Sequence, residues 1–209
     1  MVNYITQSKE TQSALTPNQA IEMLKEGNKR FVENQRINRN LNEQVNSTST
    51  GQFPFAALVS CIDSRVPAEV VFDQGIGDIF SARIAGNFVN EDILGSLEFA
   101  CKVAGSKVVV ILGHTLCGAI KGACDDAKLG NLTGMLTKIK PAVEAVTDET
   151  EDRSSKNTSF VNKVVRKNVE MTIQNTLDMS PVLREMKDNG EIDIVGAIYD
   201  LSDGKVTFL

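Results

Sequence analysis

The chain has 209 residues, 42% of them hydrophobic and 23% charged, which is ordinary for a globular domain with a sizeable buried core. A net charge of −5 gives no electrostatic attraction to nucleic acid or to an anionic membrane surface. No apolar run reaches the roughly 20 residues of a membrane span, and the polar start, Met1 to Leu15, lacks the apolar stretch of a secretory signal. The expected compartment is therefore the cytosol, where four cysteines (61, 101, 117 and 124) stay reduced and point to metal or chemistry rather than a disulfide framework.

Residues 1–15 read as a loose arm. Thr16-Pro17 opens a helix, with Thr16 as cap, Pro17 at the first position and Gln19 completing a capping box. Ala20, Met23, Leu24, Gly27 and Phe31 share one face and carry that helix to about Gln35. Residues 36–52, rich in Asn, Ser, Thr and Gln, read as a loop. Phe55 to Ser60 is a short apolar run of the kind that forms a buried strand, and it delivers Cys61 at its end. A short helix from Pro67 to Phe72 and the Gly75-Ile-Gly77 turn precede a second strand, Asp78 to Arg83. A helix over 92–103 follows, with Ile93, Leu97, Ala100 and Cys101 inward. The clearest buried strand, Lys107 to Leu112, ends at Gly113-His114.

Helices are expected over 117–126, over 132–146 with a break near Pro141, and over 158–179, with a polar loop at 147–159. Pro181 restarts a short helix ending near Gly190. Ile192 to Tyr199 reads as another strand. Asp203-Gly204 is a hairpin signal, and Lys205 to Leu209 returns as an edge strand. Strands alternating with helices predict an α/β fold: an open, mainly parallel sheet flanked by helices, with an N-terminal helical arm and a C-terminal edge strand, in one domain over 1–209. Such sheets gather ligands at the C-terminal ends of their strands, where Cys61 and His114 fall.

His114 is the sole histidine and lies three residues before Cys117 in Gly113-His-Thr-Leu-Cys-Gly-Ala119. With Cys61 the chain offers one imidazole and two thiols. That donor set suits zinc, and three protein ligands leave a fourth position open, as catalytic sites require. Asp63 and Arg65 follow within four residues of Cys61. A guanidinium grips a carboxylate with two parallel hydrogen bonds and holds it ionised. Asp63 would then either accept a hydrogen bond from a zinc-bound water, an active site, or bind zinc itself and close the site. Zinc lowers the pKa of bound water to about 7, and two thiolates blunt that effect. The backbone N–H of Gly118, on the N-terminus of the next helix, could hold a developing anion. Cys101 belongs to a core face, and Cys124 lies two helical turns past Cys117, too far to be a fourth ligand.

The segments Cys61-Ile-Asp-Ser-Arg65-Val and Gly113-His-Thr-Leu-Cys117-Gly-Ala resemble those of the β-class carbonic anhydrases. Gly77-Asp-Ile-Phe-Ser-Ala-Arg83 and Gly95-Ser-Leu-Glu-Phe-Ala100 support the likeness, which is strong over residues 20–125. The resemblance implies reversible hydration of carbon dioxide to bicarbonate and a proton, with Zn2+ on Cys61, His114 and Cys117 and the Asp63–Arg65 dyad alongside. It implies a homodimer or homotetramer with its active site at the subunit interface and the N-terminal arm and helix, residues 1–35, clasping the partner. The family has an open form, with water as fourth ligand, and a form in which the aspartate binds zinc and bicarbonate occupies a pocket that includes a tryptophan. This chain has no Trp and carries Gln52, nine residues before Cys61, which matches the substrate-contacting glutamine of the open form. Phe80, Ala85 and Phe99 match that form's apolar substrate pocket, Ala85 and Phe99 standing where Val and Tyr are common. No second histidine exists to shuttle protons. Carbon disulfide or carbonyl sulfide as substrate, and a purely structural zinc module, are the competing readings.

Overall fold

The computed structural model describes residues 6–209, so the first five residues of the expected arm lie outside the described residues. Five strands form one sheet in the order β2-β1-β3-β4-β5. They are β1 (Ala56–Ser60), β2 (Ile79–Arg83), β3 (Val108–His114), β4 (Asp193–Tyr199) and β5 (Val206–Phe208). All neighbours run parallel except β5, which returns antiparallel beside β4 through the Asp203-Gly204 turn. This is the α/β architecture expected from the sequence.

Every residue of β1 and β3 is buried, because both strands are covered on two faces. Alternation divides them. Ala56 and Leu58 join Val108, Val110 and Leu112 in a core under α2 (Pro17–Val32) and α4 (Ala68–Val71). Ala57, Val59, Val109 and Ile111 face the other way, toward α5 (Glu91–Glu98), α9 (Thr158–Met179) and α10 (Pro181–Asp188). A third cluster links α6 (Gly118–Cys124), α7 (Gly130–Thr137), α8 (Lys140–Ala145) and α9, and it contains Cys61 and Cys117. From β1 the chain crosses first to β2 and then back past β1 to β3, so strand order reverses at β1 and β3. Their register pairs Ser60 with Leu112, which sets Cys61 and His114 together beyond the reversal.

Three local features differ from the expectations. The described part of the arm is not loose: α1 (Lys9–Ala14) is capped by Ser8, and Gln12 is buried, its amide donating to Pro54 O and Ala104 O at 2.8 Å each. The expected loop at 36–52 contains α3 (Leu41–Thr48), capped by Asn40. Its buried anchor is Gln44, whose Oε1 accepts the Ile76 N–H at 3.1 Å, so hydrophobic periodicity gave no signal. The helix expected over 92–103 changes to a π-wound turn at Phe99–Val103. The break in the 132–146 helix falls between α7 and α8, just before Pro141, which occupies the first turn of α8.

α2 begins as its capping box requires, with Thr16 accepting from Gln19 N–H and Gln19 accepting from Thr16 N–H. Gly27 brings this helix against the end of α4, where an added Cβ would sit 1.8 Å from Phe72 O. A backbone oxygen cannot step aside as a side chain can. Gly27→Ala is therefore expected to destabilise the fold by at least the ~1–3 kcal/mol typical of overpacking, read from the urea midpoint. Gly113 serves a similar purpose beside the site. A Cβ there would meet Val169 of α9 at 2.7 Å, so its absence lets α9 lie close under the end of β3.

Candidate active site

Cys61 leaves β1 as the strand ends, His114 is the last residue of β3, and Cys117 immediately precedes α6. All three are buried, and their ligand atoms lie within 4.8 Å of one another. The two sulfurs are 3.9 Å apart. Two thiolates each ~2.3 Å from a tetrahedral zinc would stand roughly 3.8 Å apart. His114 Nδ1 lies 2.9 Å from Thr115 O. A carbonyl can only accept, so Nδ1 carries the proton and Nε2 presents its lone pair. That Nε2 is buried with no hydrogen-bond partner among the described residues. Leaving such an atom unsatisfied costs about 1–3 kcal/mol. The donor set, its spacing and the orphaned nitrogen all fit a zinc ion.

The thiols are unlike each other. Cys61 is drawn down to about 4 by the Cys117 thiol donating to it, against the opposing effect of burial, with the Gly86 N–H also helping. Cys117 is pushed up, because it is the donor in that pair and is deeply buried. The protein thus favours the first thiolate and disfavours the second, until a cation compensates both. Leu116, between His114 and Cys117, turns the chain with φ of 58°. A branched side chain in the left-handed region costs roughly 1–2 kcal/mol, strain held in the turn that links two of the three donors.

Asp63 and Arg65 form the bidentate pair the sequence suggested. Arg65 Nε donates to Oδ1 at 2.9 Å and Nη2 to Oδ2 at 2.7 Å, while the Arg65 backbone N–H donates to Oδ1 at 3.0 Å. These side-chain bonds hold the Asp63 carboxyl well below the usual carboxylate range, outweighing its partial burial. Oδ2 lies 3.9 Å from His114 Nε2. The carboxylate therefore sits at the edge of the donor cluster with its charge intact.

Arg83 is a residue whose part the sequence reading missed. It closes β2 and donates from Nε to Cys61 O at 3.0 Å and from Nη2 to Asp63 O at 2.6 Å. It thereby staples the loop that carries both a ligand and the dyad. The available signal was its place at the C-terminal end of a strand adjacent to β1, where an arginine reaches the neighbouring loop.

The expected substrate-pocket residues are scattered. Ala85 adjoins Gly86, whose N–H donates to Cys61 Sγ at 3.5 Å, so it lies beside the cluster. Gly118 opens α6 with no atom within 4 Å of where a Cβ would be, which leaves free space next to Cys117. Phe80 and Phe99 pack edge to face, ring centroids 6.2 Å apart, in a groove of about 820 Å³ along the β2 edge. That groove's lining includes none of Cys61, Asp63, His114 and Cys117. Gln52 is exposed on the approach to β1. A single chain thus sets Phe80 and Phe99 in a groove apart from the donors. Cys101 is buried in the core beneath α5, and Cys124 stands outside the three-residue donor group.

A mainly parallel sheet that presents two thiols and an imidazole at the C-terminal ends of its strands, beside an ionised carboxylate, has the donors of a metal centre on an α/β enzyme fold. The chain belongs to the carbonic anhydrase family, β class: the family model described as "Carbonic anhydrase" matches residues 56–206, and solved β-carbonic anhydrases share the fold. Carbonic anhydrase 2 of Mycobacterium tuberculosis is 35% identical over 191 residues, covering 90% of this chain and 91% of that protein. The carbonic anhydrase of Mycolicibacterium smegmatis is 34% identical, covering 91% and 92%. The crystal structure of the β-carbonic anhydrase CafA of Aspergillus fumigatus superposes with a TM-score of 0.71 at 28% identity, over 80% of this chain and 81% of that one.

Proposed function

We propose that the chain catalyses zinc-dependent, reversible hydration of carbon dioxide to bicarbonate and a proton. The observation that carries this is the buried Cys61–His114–Cys117 cluster, with its orphaned Nε2, at the edge of a carboxylate that Arg65 keeps charged. Zinc held by Cys61 Sγ, His114 Nε2 and Cys117 Sγ would supply the Lewis acidity that makes water nucleophilic near neutral pH. The chain's own groups then do the orienting. Asp63 accepts a hydrogen bond from the attacking water at the oxygen that faces the cluster. Arg65 fixes that oxygen by gripping the carboxylate, and Arg83 fixes the backbone beneath it. A carboxylate committed to three N–H donors favours the open form of the site over one in which Asp63 is itself a ligand.

The same reading includes a homodimer or homotetramer. Among the described residues β2 is an edge strand with no strand on its outer side, beside a groove in which Phe99 is 51% exposed, and Val103 nearby is 72% exposed. A second subunit lying on that edge would bring Gln52, Phe80 and Phe99 to its partner's cluster. Among the described residues no helix is long and apolar enough to cross a membrane. A site needing two reduced thiols suits the cytosol. Gln52→Ala is expected to lower kcat/KM about tenfold, the effect of one lost hydrogen bond of ~1.4 kcal/mol, with zinc content unchanged. An unaltered kcat/KM would remove Gln52 from the site.

The test of the function is stopped-flow carbon dioxide hydration from mildly acidic to alkaline pH in strong buffer, on protein of assayed metal content. Activity near neutral pH with one zinc per chain is the expected result. Activity confined to high pH would place Asp63 on the metal, and none at any pH with zinc bound would overturn the assignment.

A further inference from the structure

The carbonyl that orients His114 belongs to Thr115, and Thr115 is held from three sides by a segment some 85 residues away. Its N–H donates to Tyr199 O at 3.0 Å, extending the β3–β4 ladder. Its hydroxyl oxygen accepts the Leu201 N–H at 3.0 Å. The same hydroxyl donates to Asp200 Oδ1 at 3.4 Å. Asp200 is fixed in turn. Its Oδ1 also accepts the Ser202 N–H at 2.8 Å and the Ser202 hydroxyl at 2.7 Å. Its backbone N–H donates to Lys205 O, and its carbonyl accepts the Gly204 N–H. The turn between β4 and β5 is thus a rigid frame with Thr115 locked into it.

We propose that Thr115 and Asp200 are positioning residues for the metal site: the β4–β5 turn fixes the Thr115 peptide, and its carbonyl fixes the tautomer and ring plane of His114. The alternative, that the turn serves only to join two strands, does not need the Thr115 side chain. Asp200 and Ser202, with the backbone bonds from Asp200 to Lys205 and from Gly204 to Asp200, close that turn without it. The hydroxyl instead spends one acceptor and one donor on tying the peptide beneath His114 to it. Ring nitrogens opposite a metal are commonly held this way, and loss of such a partner weakens metal binding about 10–100-fold. The inference rests on the zinc reading of Cys61, His114 and Cys117.

The experiment compares wild type with Thr115→Val, Thr115→Ser and Asp200→Ala. Valine keeps the shape and removes the hydroxyl; serine restores it. Zinc affinity is measured by competition with a chelator, the visible absorption of the Co2+-substituted proteins reports ligand geometry, and melting of the metal-free proteins reports stability. Thr115→Val and Asp200→Ala should bind zinc about 10–100-fold more weakly with altered cobalt bands, and Thr115→Ser should match wild type. Wild-type affinity and spectrum in both would overturn the proposal. So would lowered stability with an unchanged cobalt spectrum, the signature of a merely structural turn. If Thr115→Val fails to fold, Asp200→Ala decides on the same two readings. A wild-type protein that takes up no zinc would overturn the metal reading along with this one, whereas equal, tight binding in every protein overturns this one alone.

Discussion

His114→Ala will purify without stoichiometric zinc and without measurable carbon dioxide hydration, while the metal-free fold survives. The imidazole is the chain's sole neutral nitrogen ligand of this kind, since there is no second histidine to replace it. Its Nε2 has no hydrogen-bond partner among the described residues, so that polar atom has little to contribute to folding without a ligand. Removing it leaves two sulfurs and one carboxylate already committed to Arg65. Affinity should fall well beyond the roughly 10–100-fold that attends loss of an outer partner. Cys61→Ser should behave alike, because a serine hydroxyl is not deprotonated where the Cys61 thiol readily is. The checks are zinc per chain by elemental assay, hydration by stopped flow and the circular dichroism melt. Full activity in metal-free protein would refute the site. The fold should persist because β1 and β3 are buried along their whole lengths by cores that do not include His114.

Asp63→Ala separates chemistry from binding. The donors and their spacing stay, so zinc should remain near one per chain. The lost group is the one that orients the attacking water, and removal of a positioned acid–base partner costs about 10²–10⁴-fold in rate. The loss should appear in kcat as well as kcat/KM, since the interaction matters at the reacting centre. Arg65 would be left without its carboxylate, and Arg65→Ala should give a smaller decrease by letting Asp63 rotate. If Asp63→Ala instead lost zinc, Asp63 would be a ligand and the open form would be wrong.

Much of the fold was legible because its strands are continuous apolar runs and its longer helices carry caps. Val-Val-Val-Ile-Leu before Gly113 has no other stable home than a strand covered on both faces. The donor triad was legible for a different reason: a lone histidine and a cysteine three residues apart, at a strand end, leave few chemical uses. What stayed hidden depends on polar side chains acting at long range. α1 and α3 are anchored by Gln12 and Gln44, residues whose amides are usually solvated, so nothing in local periodicity distinguished them from loop. Arg83 and Asp200 were hidden likewise, because their value lies in which backbone groups the tertiary fold sets within reach. Phe80 and Phe99 matched a pocket by resemblance, yet within one chain they face a groove of their own.

The donors come from places far apart along the chain, Cys61 and His114 being 53 residues apart. A single ion bound to both is a reversible cross-link around a loop of that length. A covalent link closing a loop this size would lower the entropy of the unfolded chain enough to add about 4 kcal/mol. An ion held there would therefore double as a fastener: it would draw together β1, β3 and the start of α6, and raise the temperature at which they part. Heat and chelators would then act in concert, because each opening of the strand ends exposes the ion and each ion lost makes the next opening easier.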